Sequence, residues 1–432
     1  MRRMQSTGLN CQWKKLIINH DILKDYNMKE PIKWAPNEML KTDCLKSLTL
    51  MTQVEIEAAC RFHQSFPQYE QTPLINLSRL AAFLGIKGIY IKDESYRFNL
   101  NAFKVLGASY AMAKYIAEII KKDITELDYH NFVSIELKDK LGDICFYTAT
   151  DGNHGRGVAW AANKLRQKSK VFMPKGSSQT RLQNILNEGS EASITELNYD
   201  DAVRLANKMA SEDPCGVIVQ DTAWEGYEKI PSWIMQGYGT MSLEALQQLG
   251  EAGVDRPSHI FVQAGVGSFA GSVIGYFSNL FPDNPPVMTV VEASAADNLY
   301  ISNLAGRLLG LKGNLDTLMA GLSCGEGNTI SWEILKNHAN FFASVPNWVA
   351  SRGMRLLAAP LKGDEKLVSG ESGAVTSGLL YTLFCDDDYR NFRDALGLNN
   401  DSIVLLFSTE GDTDPDKYRD IVWDGDYPSG KK

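Results

Sequence analysis

Short apolar runs alternate with longer segments of helical period along most of the chain. Gly88-Ile-Tyr-Ile-Lys92 is β-branched and aromatic. After it Phe103, Leu106, Tyr110, Ala113, Ile116 and Ile120 recur at steps of three and four. The first pattern predicts a strand and the second an amphipathic helix. Further strand candidates are Cys145 to Thr150, Lys170 to Met173, Ala192 to Leu197, Gly216 to Gln220, His259 to Gln263, Val287 to Val291 and Ser402 to Phe407. Helical patterns lie between them: about 155–167, a segment ending near Gly189, one that Asp200 or Asp201 could cap, about 231–250, and about 268–280. This alternation argues an α/β protein with mostly parallel sheets and right-handed crossovers. The run 402–407 is apolar almost throughout, as a strand covered on both faces must be. Residues 121–142 are charged and weakly patterned, which fits a surface helix and loop. No repeat and no Pro/Gly/Ser linker divides the chain, so two domains could arise only by interleaving.

Length and composition narrow the picture. A chain of 432 residues fits two or three units. Lys and Arg total 44 against 52 Asp and Glu; the net charge of −8 lacks the footprint of a nucleic-acid binder. No apolar run reaches the ~18 residues that a membrane helix needs. The seven cysteines form neither a C-x-x-C pair nor an even framework, which favours reduced thiols and a cytoplasmic location. The histidines show no ligand spacing, so no metal is expected. The first 20 residues carry Arg2, Arg3, Lys14 and Lys15 and no acid. A plain basic extension is favoured there over a transit peptide.

Glycine is abundant at 35 residues, and three Gly-marked segments each follow a strand candidate. In Thr148-Ala-Thr-Asp-Gly-Asn-His-Gly-Arg-Gly157 a strand gives way to a helix, whose first amides favour an anion. Asp151, Asn153 and His154 crowd this turn. Gln263-Ala-Gly-Val-Gly-Ser-Phe-Ala-Gly271 misses the dinucleotide spacing by one residue, and Glu292 is a poor ribose partner. It suits a phosphate cradle of backbone amides with the Ser268 hydroxyl. Ser408-Thr-Glu-Gly-Asp-Thr-Asp414 places hydroxyls at the carboxyl end of a strand, where α/β sheets bind ligands; a solvated acidic loop is the equal alternative. Lys104 sits within a helix pattern, one position from a core residue. Burial there would lower its pKa and free its amine for a Schiff base. Most such lysines merely lay their stems along apolar surface, and position alone favours that bland role.

In this order the segments resemble the fold-type II pyridoxal-phosphate enzymes, the group of the serine/threonine dehydratases, threonine synthase and tryptophan synthase β. The likeness runs from about Phe66 to Gly425. It is carried by KDESYRFNLNAFK, TDGNHGRGVAWAA, QDTAWEGYEKIPSWIMQGY, QAGVGSFAG, MAGLSCGEGNTISWEIL, VSGESGAV and STEGDTD. Within that group the chain looks most like the diaminopropionate ammonia-lyases.

The resemblance implies an α/β fold of two interleaved doubly wound domains. Residues 1–105 would hold an extension and the start of the large domain, 106–220 the small domain, and 221–432 the rest. It implies pyridoxal 5'-phosphate as cofactor, a small amino-acid substrate and a homodimer. Lys104 matches the lysine that carries the cofactor aldehyde, and Asn153 the asparagine at its ring oxygen. Gly265, Val266, Gly267 and Ser268 match the phosphate loop. Ser408 or Thr409 would meet the pyridine nitrogen, with Thr409 favoured. Thr150, Asp151, Gly152, Asn153 and His154 would line the loop that grips the substrate carboxylate. Dehydratases carry a small residue where Asp151 stands; an acid there suits a substrate with a β-amino group. Asp221 is a second acid that matches the lyases. The implied reaction is elimination from 2,3-diaminopropionate, D or L, to pyruvate and two ammonia, with Lys104, Asp151 and Asp221 catalytic. A serine/threonine dehydratase on the same scaffold is the alternative, and a non-catalytic amino-acid-binding protein a remote one.

Overall fold

The computed structural model describes residues 30–41 and 44–429. The basic N-terminal extension lies outside the described residues. The described strands are β1 (Lys33–Pro36), β2 (Leu74–Asn76), β3 (Gly88–Asp93), β4 (Cys145–Ala149), β5 (Lys168–Met173), β6 (Glu191–Ile194), β7 (Gly216–Ile218), β8 (His259–Gln263), β9 (Val287–Ala293), β10 (Phe341–Val345) and β11 (Ile403–Ser408). They form a seven-stranded sheet, β1-β10-β9-β8-β11-β3-β2, and a four-stranded sheet, β6-β5-β4-β7. Every pairing is parallel except β1 with β10 and β2 with β3 at the two edges of the larger sheet. The smaller sheet falls, in sequence, between β3 and β8. The chain therefore leaves the larger sheet and returns to it.

β11 shows why the apolar runs are nearly unbroken. Successive residues of a strand face opposite sides. Val404 and Leu406 pack with Val349, Met354 and Leu379 from the helices Asn347–Ala358 and Glu371–Cys385. Leu405 and Phe407 join Met241, Phe269 and Val273 from the helices Lys229–Glu251 and Ser268–Leu280 on the other side. With both faces covered, both sets of positions must be apolar.

The register positions the site. β11 and β3 pair from Ile403↔Gly88 to Ser408↔Asp93, so they end side by side. The segments that follow, one carrying Thr409 and the other Lys104, leave the same edge of the sheet. That is the edge where open α/β sheets hold their ligands.

Several local expectations need correction. Neither Asp200 nor Asp201 caps the helix Tyr199–Glu212: the Asn198 side chain accepts from the Asp201 amide at 2.8 Å. The two aspartates sit instead in the first turn, where the helix dipole favours acids. β1, β2 and β10 carry no strong sequence signal. β1 and β2 are edge strands of four and three residues, and β10 runs straight into a helix without a turn cluster. β6 and β7 are shorter than their apolar runs, because the sheet supplies only one partner strand to each. No described helix is long and apolar enough to cross a membrane.

Two glycines let the helices Asn347–Ala358 and Glu371–Cys385 touch backbone to backbone. A Cβ on Gly353 would run into the Ala374 carbonyl, and one on Gly378 into that of Val349. Gly378→Ala is therefore expected to destabilise by about 1–3 kcal/mol. The roughly 1 kcal/mol that alanine gains over glycine in a helix would not offset this. Urea unfolding measures the balance, and a stabilised variant would refute the close contact.

Candidate active site

The segment leading to Lys104 is locked by buried charges. Arg97 donates from Nε to Glu94 Oε2 at 2.8 Å and from Nη2 to Glu244 Oε2 at 2.7 Å. Lys92 Nζ lies 2.7 Å from the same Glu244 oxygen, and Thr72 donates to Glu94 at 2.7 Å. All five residues are buried. Beyond this network the backbone turns left-handed at Phe98 (φ 50°), Asn99 (φ 60°) and Asn101 (φ 59°). Each such non-glycine residue costs roughly 1–3 kcal/mol and needs surrounding structure to hold it. Asn101 supplies part of that hold: its carbonyl accepts from the Gly411 amide at 3.0 Å and its Nδ2 donates to Asp412 at 3.1 Å. The segment before Lys104 and the loop after β11 are thus stitched together.

Lys104 occupies the N-cap position of the helix Val105–Ile119, not its interior as the periodicity implies. That helix is gripped from two sides where glycines permit it. A Cβ on Gly157 would lie 2.8 Å from the Val105 amide nitrogen, and one on Gly237 would strike the Leu106 carbonyl. The Lys104 ammonium meets the Asp221 carboxylate directly. Burial alone would raise Asp221, but Lys104 outweighs it and holds the carboxyl at about 2. Burial likewise favours loss of the lysine proton, yet Asp221 reverses this and pushes Lys104 above its ordinary value. The expectation of a neutral amine from burial is thereby overturned, because a partner acid 117 residues away is invisible in the local sequence.

The turn after β4 wraps one end of the same cavity. The Thr150 hydroxyl accepts from the Gly152 amide at 2.9 Å. Asn153 opens the helix Asn153–Lys164 and donates from Nδ2 to Glu410. His154 places Nε2 2.9 Å from the Val219 carbonyl and Nδ1 3.9 Å from Asp221. Burial pulls His154 below its ordinary value. Asp151 stands at the mouth, with Arg181 Nη1 3.7 Å from its carboxylate. Burial raises the Asp151 carboxyl, against the opposing pull of Arg181 and Lys104.

The Gly-rich segment after β8 forms the other end. Gly267 (φ 97°) is the N-cap of the helix Ser268–Leu280, whose first amides have no intrahelical acceptor. A Cβ on Gly265 would lie 2.9 Å from the Gly321 carbonyl. Ser268 donates to the Asp221 carbonyl and accepts from Asn328 Nδ2 at 2.7 Å. At the third corner Thr409 Oγ1 accepts from Gln263 Nε2 at 2.9 Å and faces the cavity. Ser408 turns away to Ser369 at 2.8 Å.

The cavity is lined by Lys104, Thr150, Asp151, Asn153, His154, Asp221, Gly265, Val266, Gly267, Ser268 and Thr409. Of the residues singled out from sequence, Gly152 and Ser408 do not line it. Glu410, Ser372, Tyr199 and Cys324 line it without having been singled out. Glu410 had a signal, since it lies within the hydroxyl-rich turn. Cys324 and Ser372 lie in two of the motifs that carry the resemblance, whereas Tyr199 had no signal, because only tertiary packing brings it in. Among the described residues no cluster of His, Cys, Asp and Glu could hold a metal.

This donor set fits pyridoxal phosphate. A lysine amine, a glycine-lined helix N-terminus and a neutral hydroxyl mark three corners of one cavity. The buried Ser372 hydroxyl beside it has no protein partner.

Known proteins agree. Residues 66–406 match the model of the pyridoxal-phosphate dependent enzyme family. The diaminopropionate ammonia-lyase of Salmonella typhimurium is 52% identical over 367 residues, covering 84% of this chain and 91% of the relative. The Escherichia coli diaminopropionate ammonia lyase has been solved with an aminoacrylate-PLP azomethine reaction intermediate. It superposes with a TM-score of 0.85 at 43% identity, covering 93% of this chain and 99% of that one. Its complex with D-serine superposes with a TM-score of 0.87 at the same identity and coverage. The chain belongs to the pyridoxal-phosphate dependent enzymes and, within them, to the diaminopropionate ammonia-lyases.

Proposed function

We propose that this protein eliminates ammonia from 2,3-diaminopropionate, accepting both the D and L isomers, and yields pyruvate and two ammonia with one water consumed. The observation that carries this reading is Lys104 sharing one cavity with two acids, Asp221 and Asp151. Lys104 would hold the cofactor aldehyde, Asn153 its ring oxygen, the Gly265–Ser268 segment its phosphate, and Thr409 its ring nitrogen. Bound there, the cofactor supplies the electron sink that acidifies the substrate Cα–H.

The chain's own groups do the rest. Lys104 removes the α-proton of the L-isomer, and Asp151 that of the D-isomer from the other side. Asp221, held ionised by its neighbour, receives the substrate's β-ammonium; its electrostatics favour binding over proton donation. The Cβ–N bond breaks with its electron pair leaving on ammonia. Thr150, Gly152, Asn153 and His154 form the turn that receives the substrate carboxylate. The three-carbon product is hydrolysed after release.

Asp151→Asn tests the assignment of faces. Turnover of the D-isomer should fall by about 10²-fold or more, and that of the L-isomer by much less. Equal losses on both would remove the face-specific role. Relative kcat/KM on serine and diaminopropionate tests the substrate, and a clear preference for serine would favour the dehydratase alternative. The same reading takes 106–220 as a small domain and the protein as a cytoplasmic homodimer. Six unpaired cysteines among the described residues suit a reducing compartment. Light scattering would measure the dimer.

A further inference from the structure

Among the described acids of the cavity, Asp151 alone also lines a second, larger cleft that adjoins it, and a buried arginine meets it there. Arg181 belongs to the helix Gln179–Asn187 and is 8% exposed. Its side chain makes two separate contacts with the Thr150–Asn153 turn. Its guanidinium reaches Asp151 at 3.7 Å, and its stem lies against Gly152, where a Cβ would sit 2.9 Å from Arg181 Cδ. A buried guanidinium needs partners, and Arg181 Nε has none in the protein.

We propose that Arg181 is a positioning residue for the reaction above: its stem braces Gly152 and its guanidinium holds the Asp151 carboxylate at the mouth of the cavity. The proposal rests on the function just proposed. Three groups act on Asp151 by charge: Arg181 from its helix, Lys104 from the head of Val105–Ile119, and Glu410 from the loop after β11. Tyr199 and Cys324 also face it, and burial pushes both above their ordinary values, so neither brings charge. Burial and Glu410 disfavour the ionised carboxylate; Arg181 is the stronger of the two cations opposing them. Arg181 in turn feels Glu371, Glu410 and Asp414.

The sign follows. Removing Arg181 leaves Asp151 with its burial and one fewer cation, so its carboxyl must rise further. The acid limb of the pH–rate profile should rise with it. The experiment compares the holoenzyme with Arg181→Gln, Arg181→Lys, Asp151→Asn and the double variant Arg181→Gln/Asp151→Asn. Profiles of kcat/KM are recorded on whichever enantiomer Asp151→Asn slows more. Arg181→Gln should move the acid limb up by about one pH unit, and Arg181→Lys should restore at least half of that shift. On the Asp151→Asn background Arg181→Gln should cost less than threefold, since a residue that acts through Asp151 has nothing left to act on. Thermal unfolding and cofactor absorbance confirm that each variant is folded and loaded. A uniform loss at all pH values in both single Arg181 variants, or a double variant showing the full product of the single losses, would overturn the proposal. Parent enzyme that does not turn over diaminopropionate would instead overturn the proposed function. The cycle would then be run on the amino acid that is turned over.

Discussion

Lys104→Ala is expected to reduce pyruvate formation by at least about 10³-fold, the upper part of the range for loss of a positioned acid–base group. The amine is needed both to hold the cofactor and to move the α-proton, so the two losses compound. Lys104→Arg should be nearly as slow, although it keeps the charge beside Asp221. A guanidinium does not give up its proton in proteins and cannot serve as the base. The arginine variant thus separates charge from chemistry. If it kept activity within tenfold of the parent, Lys104 would be an electrostatic partner of Asp221 and nothing more. Added amine should rescue Lys104→Ala in part, and should not rescue Lys104→Arg, whose side chain fills the space.

The largest effect on stability is expected at Arg97. Arg97→Ala leaves Glu94 and Glu244 buried with Lys92 as their remaining cation. Removing one partner from a buried ion pair costs about 3–5 kcal/mol, because the charge left behind has lost its hydration. Glu244 is held at about 2 by Arg97 and Lys92 against the opposing effect of burial, so it is the group most exposed to the loss. The surface pair Arg204–Asp201 is a control: both side chains are about half exposed, and Arg204→Ala should cost less than about 1 kcal/mol. Equal midpoints for the two variants in urea would show that the buried network is not what holds this segment. Activity should follow stability at Arg97, since the left-handed run Phe98–Asn101 lies between the network and Lys104.

Much of this was legible in the sequence, for identifiable reasons. A strand covered on both faces is apolar over most of its length, which exposed β3, β8, β9 and β11. Turns that approach a ligand need glycine, which exposed Gly265 and Gly267. Lys104 emerged only from the motif around it; its helix position alone pointed the other way. What stayed hidden depends on distance through space. Glu410 meets Asn153 across 257 residues of chain. The charge of Lys104 is decided by Asp221, and the surroundings of Asp151 by Arg181. No local pattern encodes such partners. Ser408 and Thr409 are separated by their tertiary partners: Ser408 turns to Ser369, whereas Thr409 meets Gln263 and lines the cavity.

The position of β11 has a consequence for how this chain is made. β11 lies between β8 and β3 in the larger sheet, yet it comes last of the described strands in chain order. Until Ser408 has left the ribosome, β3 and β8 each present an unpaired edge, with Ile91 and Val262 among the apolar residues of strands not yet covered. Unpaired edges of this kind are where nascent chains aggregate or recruit chaperones. The insertion that separates β3 from β8 in sequence can fold while the larger sheet waits for its central strand. Completion of the site thus waits for β11, since the loop that follows the strand closing the sheet carries Thr409 and Glu410.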